Sequence, residues 1–158
     1  MILYHGSNVN IDKIDLAKSR PYKDFGKAFY LSADESQALE MAAHKVEVFG
    51  GEPIVTRFTF DEIMMISKEL KIKTFNSYSK EWADFIFANR KKSSPVFEHD
   101  FDIVYGPIAN DSVGEQVVLL KGGYIDFDLF LERLKFLKGI TFQYAFCTEK
   151  AIQNLISL

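Results

Sequence analysis

Three short stretches, remote from one another in the chain, alternate their side chains with a period of two: Ile2-Leu3-Tyr4-His5-Gly6, Ala28-Phe29-Tyr30-Leu31 and Phe142-Gln143-Tyr144-Ala145-Phe146-Cys147. Along a strand successive side chains point to opposite faces. His5 therefore shares a face with Leu3, Tyr30 with Ala28, and Gln143 with Ala145 and Cys147. If Phe29 and Leu31 point into the core, the Tyr30 phenol lines a cavity over a small neighbour. The first two stretches also adjoin glycines, Gly6 and Gly26, which let a ligand approach the backbone closely. Each strand offers one polar group, an arrangement suited to gripping a flat heterocycle.

The chain has 158 residues, 47% of them hydrophobic, with 15 Phe, which is enough for one domain (1–158) with a well-filled α/β interior and no need of metals or disulfides. A net charge of −3 gives no whole-protein attraction for nucleic acid. The single Cys147 rules out an internal disulfide and suits a reducing compartment. There is no apolar run of membrane-span length and no signal-peptide pattern, so the expectation is a cytoplasmic protein with no membrane partner.

Residues 7–27 lack periodicity and are rich in Asn, Asp, Lys and Ser, which predicts a long ordered loop, and loops of that length are usually functional. A strand at 28–31 leads to Ser32, which with Glu35 fits a capping box; the stripe Ala38, Leu39, Ala42, Ala43, Val46 then predicts a helix ending near Gly50-Gly51. Residues 53–60 alternate as a strand, and 61–77 fit a helical turn or a strand equally. Ser79 caps an expected helix over 80–90 whose Trp82, Phe85 and Ile86 pack in the core. A strand follows at 101–106, then helices at 113–121 and 126–137, a strand near 140–147 and a short helix opened by Thr148-Glu149.

The motifs Tyr4-His5-Gly6-Ser7, Phe25-Gly26-Lys27-Ala28-Phe29-Tyr30-Leu31-Ser32 and the late Gln143-Tyr144 resemble the three signature segments of the ADP-ribosyltransferase fold, in its His-Tyr-Glu branch. With Glu81-Trp82-Ala83-Asp84-Phe85, Asn89-Arg90 and the run from Phe101 to Asp111, the chain is similar to bacterial ADP-ribosyltransferase-like proteins, some of them read as toxins encoded beside a small antitoxin. The resemblance implies an α+β fold in which split antiparallel sheets and flanking helices surround an NAD cleft. It also implies transfer of one ADP-ribose from NAD to a macromolecular acceptor, protein or nucleic acid, and a small antitoxin as a further partner. In that frame His5 bonds the ribose next to adenine, Gly6 meets the nicotinamide amide through its backbone, and Ser7 supports the turn. Tyr30 stacks on nicotinamide, and Arg20 reaches the pyrophosphate, where a guanidinium suits bidentate contact. Gln143 stands where the family carries its catalytic Glu. A carboxylate favours an oxocarbenium-like sugar, whereas an amide gives weaker charge stabilisation and no general base. A catalytically inactive NAD-binding or interaction module is therefore one alternative, and an RNA 2′-phosphotransferase-like enzyme a second.

Other polar residues have plainer readings. Glu98-His99-Asp100-Phe101-Asp102 lacks a second histidine or cysteine at ligand spacing, so no metal is expected there. Asn110 and Asp111 fit a turn that caps the next helix. Cys147 reads as a small buried residue.

Overall fold

The computed structural model describes every residue except Phe136 and Lys138. It is an α+β fold of two sheets flanked by helices. The first sheet has the order β1 (Ile2–Ser7), β3 (Ile54–Phe60), β7 (Leu155–Ser157), paired antiparallel throughout. The second has the order β2 (Phe29–Leu31), β6 (Phe142–Phe146), β5 (Ile103–Pro107), β4 (Ile72–Thr74). In it β4 runs parallel to β5, which corrects the expectation of antiparallel sheets throughout. The reason is the crossover: α2 (Lys80–Arg90) lies between these strands in the chain, and parallel neighbours need such a connection.

Two apolar clusters follow from strand alternation. Leu3, Phe58 and Phe60 of the first sheet meet Leu31, Ile103 and Phe146 of the second, so one cluster fills the space between the sheets. On the other face of the second sheet, Val104 and Ala145 are covered by Trp82 and Ile86 of α2, by Val113 and Val117 of α3 (Asp111–Lys121), and by Phe130 and Leu134 of α4 (Phe127–Leu134). The buried Trp82 indole donates to Pro107 O at 3.1 Å, so its N–H is satisfied at the end of β5.

Most helix starts match the sequence signals. Ser79 caps α2, Asn110 caps α3, and Thr148 caps α5 (Glu149–Ile152). The start of α1 (Glu35–Phe49) differs: Asp34, not Ser32, is its cap. Ser32 is committed elsewhere, since its N–H and C=O pair with Tyr4 as an isolated bridge. The ambiguous stretch 61–77 resolves into a short 3-10 turn at Glu62–Met65 and the three-residue β4. The expected helix 126–137 is found as Phe127–Leu134, and Phe136 lies outside the described residues. No helix among the described residues is long and apolar enough to cross a membrane.

Candidate functional site

The two sheets part at the Tyr4–Ser32 bridge, whose hydrogen bonds measure 2.8 and 2.9 Å. In an antiparallel ladder the next bonded pair lies two residues along each strand, and here it would join Gly6 to Tyr30. Side chains take its place. His5 Nδ1 donates to Tyr30 O at 2.7 Å, and Lys45 Nζ, from α1, donates to Gly6 O at 2.7 Å. The result is a wedge into which the N–H groups of Gly6 and Tyr30 point.

His5 is held as a neutral acceptor. Because Tyr30 O can only accept, the ring proton sits on Nδ1, leaving a lone pair on Nε2, which meets no protein partner among the described residues. Burial, followed by the nearby Lys45 charge, pushes the imidazole pKa down to about 4. The ring stacks on Phe29, with centroids 4.2 Å apart and planes at 21°. Opposite His5 on β3 stands Thr56, whose buried Oγ1 also has no hydrogen-bond partner among the described residues.

Lys45 was not legible as a site residue in the sequence. Burial lowers its pKa, and Lys23 and Arg20 lower it further. Among the described residues none of these three cations is within ion-pair distance of a carboxylate. The Arg20 guanidinium lies 4.7 Å over the ring of Phe49, one turn beyond Lys45 on α1. A cationic corner thus borders the wedge. Gly6 itself is tightly packed: a methyl group there would come within 1.9 Å of Ala38 O on α1. Its α-carbon face is therefore closed, against the expectation of ligand approach over the glycine, and only its main-chain edge remains. Ser7 is buried and its Oγ accepts Val9 N–H at 3.4 Å, supporting the turn after β1.

Tyr30 points the other way from Phe29 and His5. Its hydroxyl donates to Gly26 O at 2.7 Å and accepts from Phe25 N at 3.1 Å, so it ties down the loop before β2 instead of facing an open cavity. Burial and then the Asp24 charge raise its pKa, and the phenol stays protonated. Its ring packs against the core cluster under the helices. Gln143 shares this face of the second sheet, and its Nε2 donates to Asp24 Oδ2 at 2.9 Å. Asp24 Oδ2 also accepts Ala109 N at 2.9 Å, while Oδ1 takes Arg90 Nε at 2.8 Å and Arg90 Nη2 at 2.6 Å. The structure thus brings Tyr30 and Gln143 together around Asp24. His5 lies across β2 from the phenol, joined to Tyr30 through the main chain, so the three groups do not line a single face.

Beside Phe29 the loop 9–19 borders a half-open cavity of about 380 Å³, lined by Ile11, Ile14 and Leu16 and by the charged Asp12, Lys13 and Asp15 among others. Both nitrogens of His99 are used within the fold, Nε2 on Phe25 O at 2.8 Å and Nδ1 on Phe101 N at 3.2 Å. Compared with known proteins, residues 1–156 match a family model described as Protein of unknown function (DUF3990). No curated protein and no solved structure matches the chain.

Proposed function

Since the chain belongs to this family, whose description assigns no chemistry, we propose, from the resemblance of its motifs to ADP-ribosyltransferases, that it binds NAD at the wedge between the sheets and passes one ADP-ribose to a macromolecular acceptor. The observation that carries the reading is the interrupted ladder at Gly6 and Tyr30, with a neutral imidazole fixed inside it. A primary carboxamide needs one donor and one acceptor side by side, and the main-chain edge of Gly6 offers both once Lys45 releases its carbonyl. His5 Nε2 accepts from a ribose hydroxyl. Arg20, with Lys23 and Lys45, balances the pyrophosphate, which accounts for cations gathered without carboxylate partners. The cavity beside Phe29 is of a size for one nucleoside, so the other half of the dinucleotide lies along the wedge.

In the reaction the bond from ribose C1′ to the nicotinamide nitrogen breaks, its electron pair leaving with nicotinamide. A nucleophile on the acceptor bonds C1′ and gives up its proton to solvent. A second reading, an NAD-binding module without turnover, is favoured by one observation: Gln143 presents a neutral amide whose nitrogen is held by Asp24, and neither group there is a free base.

Labelled NAD separates the readings. A transferase releases nicotinamide and labels a macromolecule, and His5→Ala and Tyr30→Ala abolish both; a binding module saturates with NAD and releases nothing. Absence of NAD binding by calorimetry removes both. For a toxin, expression arrests growth and Tyr30→Ala relieves the arrest.

A further inference from the structure

We infer that Asp24 and Gln143 act as one unit, in which the Asp24 carboxylate fixes the Gln143 carboxamide with Nε2 inward and Oε1 outward, ready to accept a sugar hydroxyl. The inference deepens the proposed function and rests on it for the identity of that sugar. Its geometric content stands on the side chains alone.

An ionised carboxylate has no proton to donate, so only the NH2 end of the amide can face it. The amide orientation is therefore dictated by chemistry. Asp24 is itself immobile: its side chain is 10% exposed, and four donors from three residues surround its two oxygens. Arg90 is in turn wedged against α3, where a methyl group on Gly114 would come within 2.3 Å of its Nη1. Gln143 Oε1 meets no protein donor among the described residues, so its lone pairs are available to a ligand. Because Arg90 matches the Asp24 charge, Asp24 works by orienting its partner and is not a free anion in the site. That makes it a positioning residue.

The pair carries one carboxylate, one amide and one guanidinium, and this inventory decides the outcome of exchanging them. Gln143→Glu alone sets a second carboxylate against Asp24, with a single Arg90 between them, and like charges so close raise a carboxyl pKa. The exchange Asp24→Asn with Gln143→Glu restores the inventory with donor and acceptor reversed, leaving Ala109 N–H without its acceptor and Arg90 on an amide oxygen in place of a carboxylate.

The test is thermal melting of wild type, Gln143→Glu, Asp24→Asn and the double variant from pH 5 to pH 8, with nicotinamide release from NAD measured on the same preparations. Gln143→Glu is expected to melt about 5 °C below wild type at pH 8 and to recover towards pH 5 as the added carboxyl is protonated. The double variant should lose that pH dependence and release nicotinamide at least tenfold faster than Gln143→Glu. A Gln143→Glu protein that melts like wild type across the range, or exceeds the double variant in turnover, overturns the inference. If wild type fails to bind NAD, the proposed function falls, while the melting curves still decide whether the two side chains are coupled.

Discussion

A buried imidazole that refuses a proton leaves a signature in acid. The His5 pKa is lowered from 6.5 to about 4, with burial the first cause and Lys45 the second. Between those values the unfolded chain binds a proton that the folded one does not, so stability is complete above about pH 6.5 and is lost as pH falls through the window. The full effect is about 3 kcal/mol. His5→Asn keeps a donor where Nδ1 stands and removes both the titration and the Nε2 acceptor. Urea midpoints from pH 7 to pH 4 should fall less steeply for this variant than for wild type, and NAD affinity should drop at least tenfold. Tyr30→Phe separates ring from hydroxyl. It leaves Phe25 N–H and Gly26 O without their side-chain partner, costing about 1–3 kcal/mol, yet it keeps the ring. Loss of stability with NAD binding intact is the expected result in calorimetry; loss of binding with unchanged stability would give the hydroxyl itself a ligand role.

Two glycines join elements by what they leave out, and they should respond differently to a methyl group. At Gly6 the added carbon meets the carbonyl oxygen of Ala38, main chain against main chain, so α1 must lift from β1. At Gly114 it meets only the tip of Arg90. Alanine in a helix interior gains about 0.5–1 kcal/mol over glycine. Displacing Arg90 from the buried Asp24, however, costs about 3 kcal/mol. Gly114→Ala is thus expected to destabilise by about 2 kcal/mol, read from denaturant midpoints, with Gly6→Ala more damaging; a Gly114→Ala variant more stable than wild type would mean that Arg90 contributes little. Elements of this size were mostly legible in the sequence, because strand alternation and Ser, Asn or Thr caps are local signals. The strands β4 and β7 were not, since Ile72-Lys73-Thr74 lies in a stretch that fits a turn or a strand and Leu155-Ile156-Ser157 sets two apolar residues side by side without alternation. Ser32 misled because its main chain serves a bridge to Tyr4, a contact that no local pattern encodes.

At the scale of the whole molecule, the parts of the site that the sequence hid are those assembled from remote segments. Asp24 reads as one charge among the lysines of a loop, yet its partners Arg90, Ala109 and Gln143 come from α2, the connection after β5, and β6. Lys45 reads as the polar side of a helix until α1 is laid along β1 and its ammonium reaches Gly6 O. His5, Tyr30 and Gln143 were visible because each interrupts an apolar strand, but their relation was not: which face a side chain takes follows from alternation, whereas how two sheets diverge does not. That divergence has a measurable consequence. Beyond the Tyr4–Ser32 bridge the Gly6 and Tyr30 amides point into the wedge, while those of Tyr4 and Ser32 are bonded at 2.8 and 2.9 Å. In the free protein Gly6 and Tyr30 should exchange hydrogen faster than Tyr4 and Ser32. A ligand bound only to the folded state adds about 2.7 kcal/mol at one hundred times its dissociation constant. If NAD seats its carboxamide on the edge of β1, saturation should slow exchange at Gly6 beyond that uniform gain and leave β7, on the far side of β3, with the uniform gain alone. Protection by NAD that is equal at β1 and β7 would place the dinucleotide somewhere other than the gap between the sheets.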